Sequence, residues 1–364
     1  DDNGNQRIKR VWEQQTSAQS FPPPNGFNYG MELTNTTDIL SAMHDEIQDN
    51  NGNWVANGSH ATHVAGIAAG SDNAVNGIYG GCAPNADLVF NSTNWMADGI
   101  LDGISYIFDY AASVNKPAVI NMSIGTHNGP HDGTSLFDQA LTNLTGNGKI
   151  LVGAAGNEGE HVVHFAHSFP VNGDSIPTSV NIDVTNNTTA DDYVTVDAWG
   201  SPNKDFCITI DLFDINENWY NYIGGWLCSY TNWTGDTIIT GSDGGQISFE
   251  YSCEDSSPLN SKPHINFSIE ATTNDYITIS TYGESTDVNM WITSPTHGMV
   301  KWTNWGLTSA LDYQAYPLAP GDNNMSVGEI GGTGTNMITV GAYTSKNQWT
   351  DSQGANHQIP SFSS

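Results

Sequence analysis

The sequence predicts an α/β fold, a parallel sheet covered by helices, with an antiparallel β-sandwich inserted into it. Three observations carry that expectation. From about residue 59 to 157, short apolar runs alternate with stretches of helical periodicity, the pattern of parallel strands joined by helices. From about 160 to 325 the hydrophobic period becomes two, broken by Gly, Asn, Asp and Pro turns. Near the end, MITVGAY (337–343) reads as a strand returning to the first texture. The expected division is therefore 1–160 for the α/β core, 161–325 for a jelly-roll-like sandwich, and 326–364 for the return to the core.

Taken in order, the opening 58 residues hold a Pro-rich turn, FPPPNG, and a short helix near TDILSAMHDEI. HATHVAGIAAG reads as a helix of small residues with Ser59 placed to cap its start. ADLVF (86–90) is a short strand. ILDGISYIFDYAA then sets Ile100, Leu101, Ile104, Ile107, Phe108 and Ala111 at helical spacing. PAVINMS (117–123) is an apolar run ending in polar residues, SLFDQALTNL (135–144) is a helix ended by Gly146, and KILVGAAG (149–156) is a buried-type strand. Ligands of parallel sheets bind beyond the carboxyl ends of the strands. NMSIG and GAAGNEG are two such ends, each running into a Gly-containing turn. In the second texture DYVTVDAW, DFCITIDLF, QISFEYSC, HINFSIEA, DYITISTY and DVNMWIT alternate as strands.

Only 13% of residues are charged, against roughly 25% in an ordinary soluble domain. Solubility therefore rests on Asn, Ser, Thr and Gly, and on a formal net charge of −30. That sign excludes nucleic acid and anionic membrane surfaces as partners. No stretch has the length and apolarity of a membrane span, and no signal peptide is visible. Of Cys82, Cys207, Cys228 and Cys253, three fall in the second half, which allows one disulfide there without fixing its pairing. The oligomeric state is left open.

Several stretches could carry chemistry. SHATHVAG sets His60 and His63 three apart, leaving a metal pair, a catalytic base or a structural role; without a Glu in the H-E-x-x-H manner, a metal is not expected. HVVHFAH offers His161, His164 and His167, but strand spacing would throw the first two to opposite faces, so a structural role is expected. Asp132 to Ser135, DGTS, reads as a cap for the following helix. NWYNYIGGW (218–226) and KWTNWG (301–306) could form a glycan or peptide platform, though such residues more often fill a sandwich core or line its edge.

SHATHVAGIAAG, GCAPNADL, VINMSIG and AAGNEG, in that order, resemble the subtilisin-like serine proteases, the subtilase family or peptidase family S8. The resemblance covers about residues 59–159 directly, with MITVGAY and IPSFSS near the end. GPHDGTSLFDQAL and the β-rich region look like a bacterial branch that includes the clostridial germination proteases. The resemblance implies a subtilisin-like parallel sheet with helices on both faces and a peptide-bond hydrolase acting through a Ser-His-Asp triad and an acyl-enzyme. It implies that His60 is the general base, with His63 part of the helix packing, and that Asn157 donates its side-chain amide to the oxyanion. It implies that Ser123, Ile124 and Gly125 pair with an extended polypeptide substrate, and that Ala154, Ala155 and Gly156 form the opposite wall of the specificity pocket. No cofactor is required; a structural calcium near Asp72, Asn73 and Asn76 is compatible with the family but unassigned. An extracellular or cell-envelope location follows from the same resemblance.

The family's aspartate motif, V-x-V-I-D-[ST]-G, and its nucleophile motif, G-T-S-x-[AS]-x-P after the asparagine, do not occur here. DDNGNQRIKRVWEQQ looks like the continuation just past the aspartate strand, and SFSS like a stretch upstream of the nucleophile. The expectation is thus an interior fragment of a longer protease, inactive through a triad by itself. Ala61 stands where the family usually has glycine, and the alternative is a catalytically inactive relative that binds peptides or partner proteins.

Overall fold

The computed structural model describes residues 6–15, 21–42, 46–48, 54–56, 60–71, 80–159, 161–181, 193–214, 216, 218–273, 275–293, 301–303, 319–342, 348–350 and 356–358. These belong to two compact units, Asp1–Ser123 with Leu144–Ile150, and Ile124–Asn143 with Leu151–Ser364.

In the first unit the strand Ile8–Glu13 pairs in parallel with Leu88–Ser92 and antiparallel with Met31–Leu33. Trp12 is fully buried there, and its ring meets Phe27, Tyr29 and Tyr106 at centroid distances of 4.5, 5.2 and 5.2 Å. The helix Ala97–Ser113 forms where the 3.6-residue period predicts it, burying Ile100, Ile104, Phe108 and Ala111 on one face. The opening helix runs Thr36–Ala42, capped by Asn35, whose side-chain oxygen accepts the Asp38 N–H at 2.9 Å. The helix His60–Ala69 and the strand Ala118–Met122 lie where the sequence places them, while Ser59 and residues 72–79, with Asp72, Asn73 and Asn76, lie outside the described residues.

The second unit holds the sandwich. Its six-stranded sheet runs in the order Thr234–Thr240, Gln246–Glu254, His264–Ala271, Tyr193–Trp199, Asp287–Ile292 and His164–Ser168. Its five-stranded sheet runs Trp219–Cys228, Phe206–Phe213, Tyr276–Gly283, Asp174–Asn181 and Lys301–Thr303. Neighbours in both sheets pair antiparallel. The period of two is kept: in His264–Ala271 the side chains of Ile265, Phe267, Ile269 and Ala271 are buried and their neighbours are not. They form one core with Val194, Val196, Ile208, Ile210, Ile277 and Ile279. Beyond the sandwich, Ile338–Val340 pairs in parallel with Val152–Ala154, the return the sequence predicts.

The disulfide left open by the sequence joins Cys207 to Cys228, directly opposite on neighbouring strands; Cys82 and Cys253 are free. The two Trp-rich stretches divide. Trp302 is buried in the sandwich core, whereas Trp219, Tyr222 and Trp226 are exposed along the outermost strand of the five-stranded sheet. Among the described residues no helix is long and apolar enough to cross a membrane.

Burial separates two aromatic substitutions. Phe267→Ala should lower the unfolding free energy by ~3–5 kcal/mol, and Trp226→Ala should change it by no more than ~0.5 kcal/mol, as read from urea denaturation midpoints.

Candidate active site

In the second unit, the strand that ends at Ala154 runs into the turn Ala155-Gly156-Asn157. Its backbone is approached from the other side by Ile330 and Gly331: a Cβ on Gly153 would stand 2.5 Å from the Gly331 carbonyl oxygen, and one on Gly331 would overlap that of Ala154. Glycine at both positions is what lets two main chains close to this distance. The Ala155 N–H donates to the Val340 carbonyl at 3.0 Å, fixing the strand end. Gly156 has φ +103°, a conformation glycine adopts at little cost, and it faces the carboxylate of Glu158.

Glu158 is buried and accepts the Asn157 backbone N–H at 2.7 Å. That bond holds the turn so that the Asn157 side chain is left exposed, with its amide free of the fold's core. His127 Nε2 lies 3.8 Å from the Glu158 carboxylate. The His127 ring stacks on His131, and His131 stacks on Trp291 at 4.1 Å. Both ring nitrogens of His131 face backbone carbonyls, Val327 at 2.9 Å and His127 at 3.2 Å. Burial nevertheless pushes this imidazole down toward its neutral form.

Ile124 and Gly125 open the second unit, and Gly125 is exposed with open space where a side chain would begin. Just beyond them, the Thr126 carbonyl accepts the Glu329 N–H at 2.9 Å. Gly129, at φ +110°, donates its N–H to Asp197 at 2.7 Å. Asp197 is buried on the six-stranded sheet and also accepts Trp199 Nε1 at 2.7 Å, His264 Nε2 at 2.6 Å and Asn266 Nδ2 at 2.8 Å. Burial alone would raise its pKa, but the charge and hydrogen bond of His264, the Gly129 N–H and the Asn266 amide together hold it at about 2. A cleft of about 510 Å³ opens beside it, lined by Asn128, Gly129, Trp199, His264 and the hydroxyls of Tyr193, Thr195 and Ser268.

Below the same loop, Ser135 caps the helix Leu136–Leu144, accepting the Asp138 N–H at 3.0 Å, so DGTS is the cap the sequence predicts. Asp138 is fully buried, and its Oδ2 accepts the Thr333 hydroxyl at 2.8 Å. Glu329, also buried, lies against Gly129, where a Cβ would overlap its carboxylate. Burial pushes Glu329 up to about 8, with the charge of Asp138 adding to the shift, and burial raises Asp138 as well.

His60 and Ser123 belong to the first unit. His60 is exposed as the first residue of its helix, and Ser123, half-buried, accepts the Asn121 amide at 3.0 Å. His63 is exposed too, which corrects its expected part in helix packing: the described residues leave that face of the helix open. His164 is buried between Asp322 (2.8 Å) and Asn289 (3.1 Å), a structural clamp. Among the described residues there is no cluster of three or more metal-ligating side chains. The sequence did not point to Asp138, Asp197 or Glu329. The available signals were faint: an acidic residue in each of the alternating YVTVDAW and the Gly-rich GEIGGTG, positions where a charge is expensive unless held.

The family model described as the subtilase family, Peptidase S8, matches residues 36–364. The major intracellular serine protease of Bacillus subtilis (strain 168) is 36% identical over 132 residues, covering 35% of this chain and 36% of that protein. The subtilisin of Bacillus sp. (strain TA39) is 36% identical over 107 residues, 28% of this chain and 24% of that protein. The matches thus span about a quarter to a third of these curated relatives. The structure of the Clostridium perfringens CspB protease aligns with a TM-score of 0.64 at 17% identity, covering 94% of this chain and 65% of that one, a likeness of fold.

Asp197 has a depressed folded pKa, so its stabilisation is complete above the ordinary value of 3.8 and fades as the pH falls toward about 2. Thermal denaturation across that window should show a loss in the wild type, and Asp197→Ala should cost ~3–5 kcal/mol at neutral pH by orphaning its donors.

Proposed function

The chain belongs to the subtilase family, and from that premise we propose that the protein carrying it is a serine endopeptidase hydrolysing peptide bonds through an acyl-enzyme. His60 is the general base: it takes the proton of the nucleophilic serine and returns it to the leaving amine. An imidazole at an exposed helix start suits that role, because substrate can reach it. Asn157 donates its amide to the oxygen that gains charge in the tetrahedral intermediate. Ser123, Ile124 and Gly125 offer main-chain bonds to an extended polypeptide, and the small side chains of Ala154, Ala155 and Gly156 leave room for the residue at the cleaved bond. The serine and aspartate of the triad are not among this chain's motifs, so the reading concerns the longer protein.

The observation that carries the proposal is Asn157. Its backbone is tied to buried Glu158 while its side chain stays exposed at the carboxyl end of a parallel strand, where a preorganised donor is useful and a structural asparagine would be bonded inward. Two further readings accompany it. We read the sandwich as jelly-roll-like, which the two strand orders support. We place the protein outside the cytoplasm, extracellular or at the cell envelope, a placement supported by the Cys207–Cys228 disulfide and tested by immunoblotting the culture medium against the cytosol.

A fluorophosphonate probe should label the full-length protein and His60→Ala should abolish labelling; a folded protein that takes no label would make it a peptide binder instead. Asn157→Ala should lower kcat by about 10²–10³ with little change in KM, the effect known for the corresponding amide of subtilisin.

A further inference from the structure

We propose that the cleft beside Asp197 is a binding site for a neutral saccharide, with the Trp199 ring as its apolar surface and three hydroxyls and two asparagine amides as its hydrogen-bonding wall. The proposal stands apart from the endopeptidase reading, because every residue lining the cleft belongs to the second unit and most of them to the sandwich.

Strand alternation builds the wall. Val194, Val196 and Ala198 join the sandwich core, so Tyr193, Thr195, Asp197 and Trp199 stand on the opposite face of the sheet. The neighbouring strand sets Ser268 across from Thr195, Asn266 across from Asp197 and His264 across from Trp199. Three hydroxyls meet there. Tyr193 lies 3.0 Å from Ser268, and Thr195 lies 2.8 Å from Tyr193 and 3.1 Å from Ser268. A hydroxyl has one proton and two lone pairs, so these mutual bonds spend the protons and leave Thr195 and Ser268 able to accept from a ligand. Asn266 donates to Asp197 at 2.8 Å, and its side-chain oxygen has no partner among the described residues. Asn128 is exposed at the rim.

The apolar surface is set in advance. Trp199 Nε1 donates to Asp197 at 2.7 Å, and the indole lies on the His264 ring with centroids 4.0 Å apart and planes 15° apart. The indole is still partly exposed, and a ring already held loses little freedom when a ligand covers it.

The lining selects the ligand. Among the described residues no lysine or arginine lines the cleft, so an anion would meet the Asp197 charge with no cation to offset it. A metal ion would need the Asp197 oxygens, and each already takes two donors, which fills its lone pairs. An extended peptide binds through main-chain pairing, and none is on offer. The strands Tyr193–Trp199 and His264–Ala271 are paired on both sides, the Gly129 N–H is held by Asp197, and the Asn128 N–H is held by the Thr126 hydroxyl at 3.2 Å. What remains is a set of side-chain hydroxyls, amides and an aromatic ring. They match a molecule with many hydroxyls and an apolar C–H face, which is a sugar ring. The cleft, about 510 Å³, falls within the roughly 300–1,000 Å³ of small-molecule sites.

The experiment uses the full-length protein labelled with ¹⁵N-tryptophan, the Trp199 indole N–H signal being assigned by its loss in Trp199→Phe. Titration with maltose, cellobiose and N,N′-diacetylchitobiose should move that signal, at least one of them with a Kd of ~1 mM or lower. Ser268→Ala and Asn128→Ala should each weaken that binding by about tenfold, the size of one hydrogen bond. Asn128 is exposed, so its variant keeps the test decisive even where Ser268→Ala fails to fold. Cosedimentation with insoluble starch, cellulose and chitin tells the sources apart: retention marks a polysaccharide, and binding of the disaccharide without retention marks a free sugar. A Trp199 signal unmoved by ~20 mM of every disaccharide overturns the proposal, as does full affinity in Asn128→Ala. A neutral pentapeptide that moves the signal where the sugars do not overturns it too, and makes the cleft a peptide subsite.

Discussion

Asp197, although buried, takes four hydrogen bonds, three from the sandwich and one from the backbone of Gly129. An ion stripped of water costs several kcal/mol unless its donors are all in place, so none of the four can leave without exposing that cost. The strand Tyr193–Trp199 sits inside its sheet, paired on both sides, and cannot move alone. The consequence travels outward to the loop after Gly125, whose path is set by a carboxylate belonging to the sandwich. Stacking of His131 on Trp291 and of Trp199 on His264 adds flat contacts on either side of the same tether.

A second constraint is the closeness of the main chains. Gly129, Gly153, Gly328 and Gly331 each stand where a Cβ would meet a neighbouring carbonyl or carboxylate. Close approach serves the site because it fixes the Ala154–Asn157 turn and the Thr126–Gly129 loop against one segment, Gly328–Gly331, within the same unit. Its penalty is that the carboxyls held around these glycines are buried and desolvated. Asp197 and Glu329 meet that condition in opposite ways, the first by collecting donors and keeping its charge, the second by burial beside another acid, which favours the proton.

Local pattern made most of the fold legible. The strand HINFSIEA and the helix around ILDGISYIFDYAA fall where period two or 3.6 predicts, because in each one face is buried and the other is not. Trp219–Cys228 and Thr234–Thr240 escaped the reading: they are the outermost strands of their sheets, and their exposed aromatics and threonines blur the alternation. The candidate site was legible only as motif. AAGNEG and SHATHVAG name Asn157 and His60, but nothing in a linear string brings Asp197 to Gly129, 68 residues away, or Glu329 to Thr126. Packing decides those contacts, and a lone acidic residue in a Gly-rich stretch looks like a solvated turn until its neighbours are known.

A long excursion between Asn157 and the return strand would disturb the site unless its two ends met. They do meet. His164 and Asp322 exchange backbone hydrogen bonds at 3.1 and 2.6 Å, the His164 ring binds the Asp322 carboxylate, and the Asn323 amide reaches the Gly159 carbonyl at 2.7 Å. His164 is therefore a clamp at the base of the sandwich, which gives one histidine of HVVHFAH a structural part. The closure also explains how Ile338–Val340 can pair in register with Val152–Ala154 after so long a detour, leaving the Gly156 turn and the Asn157 amide as a strand end would have them.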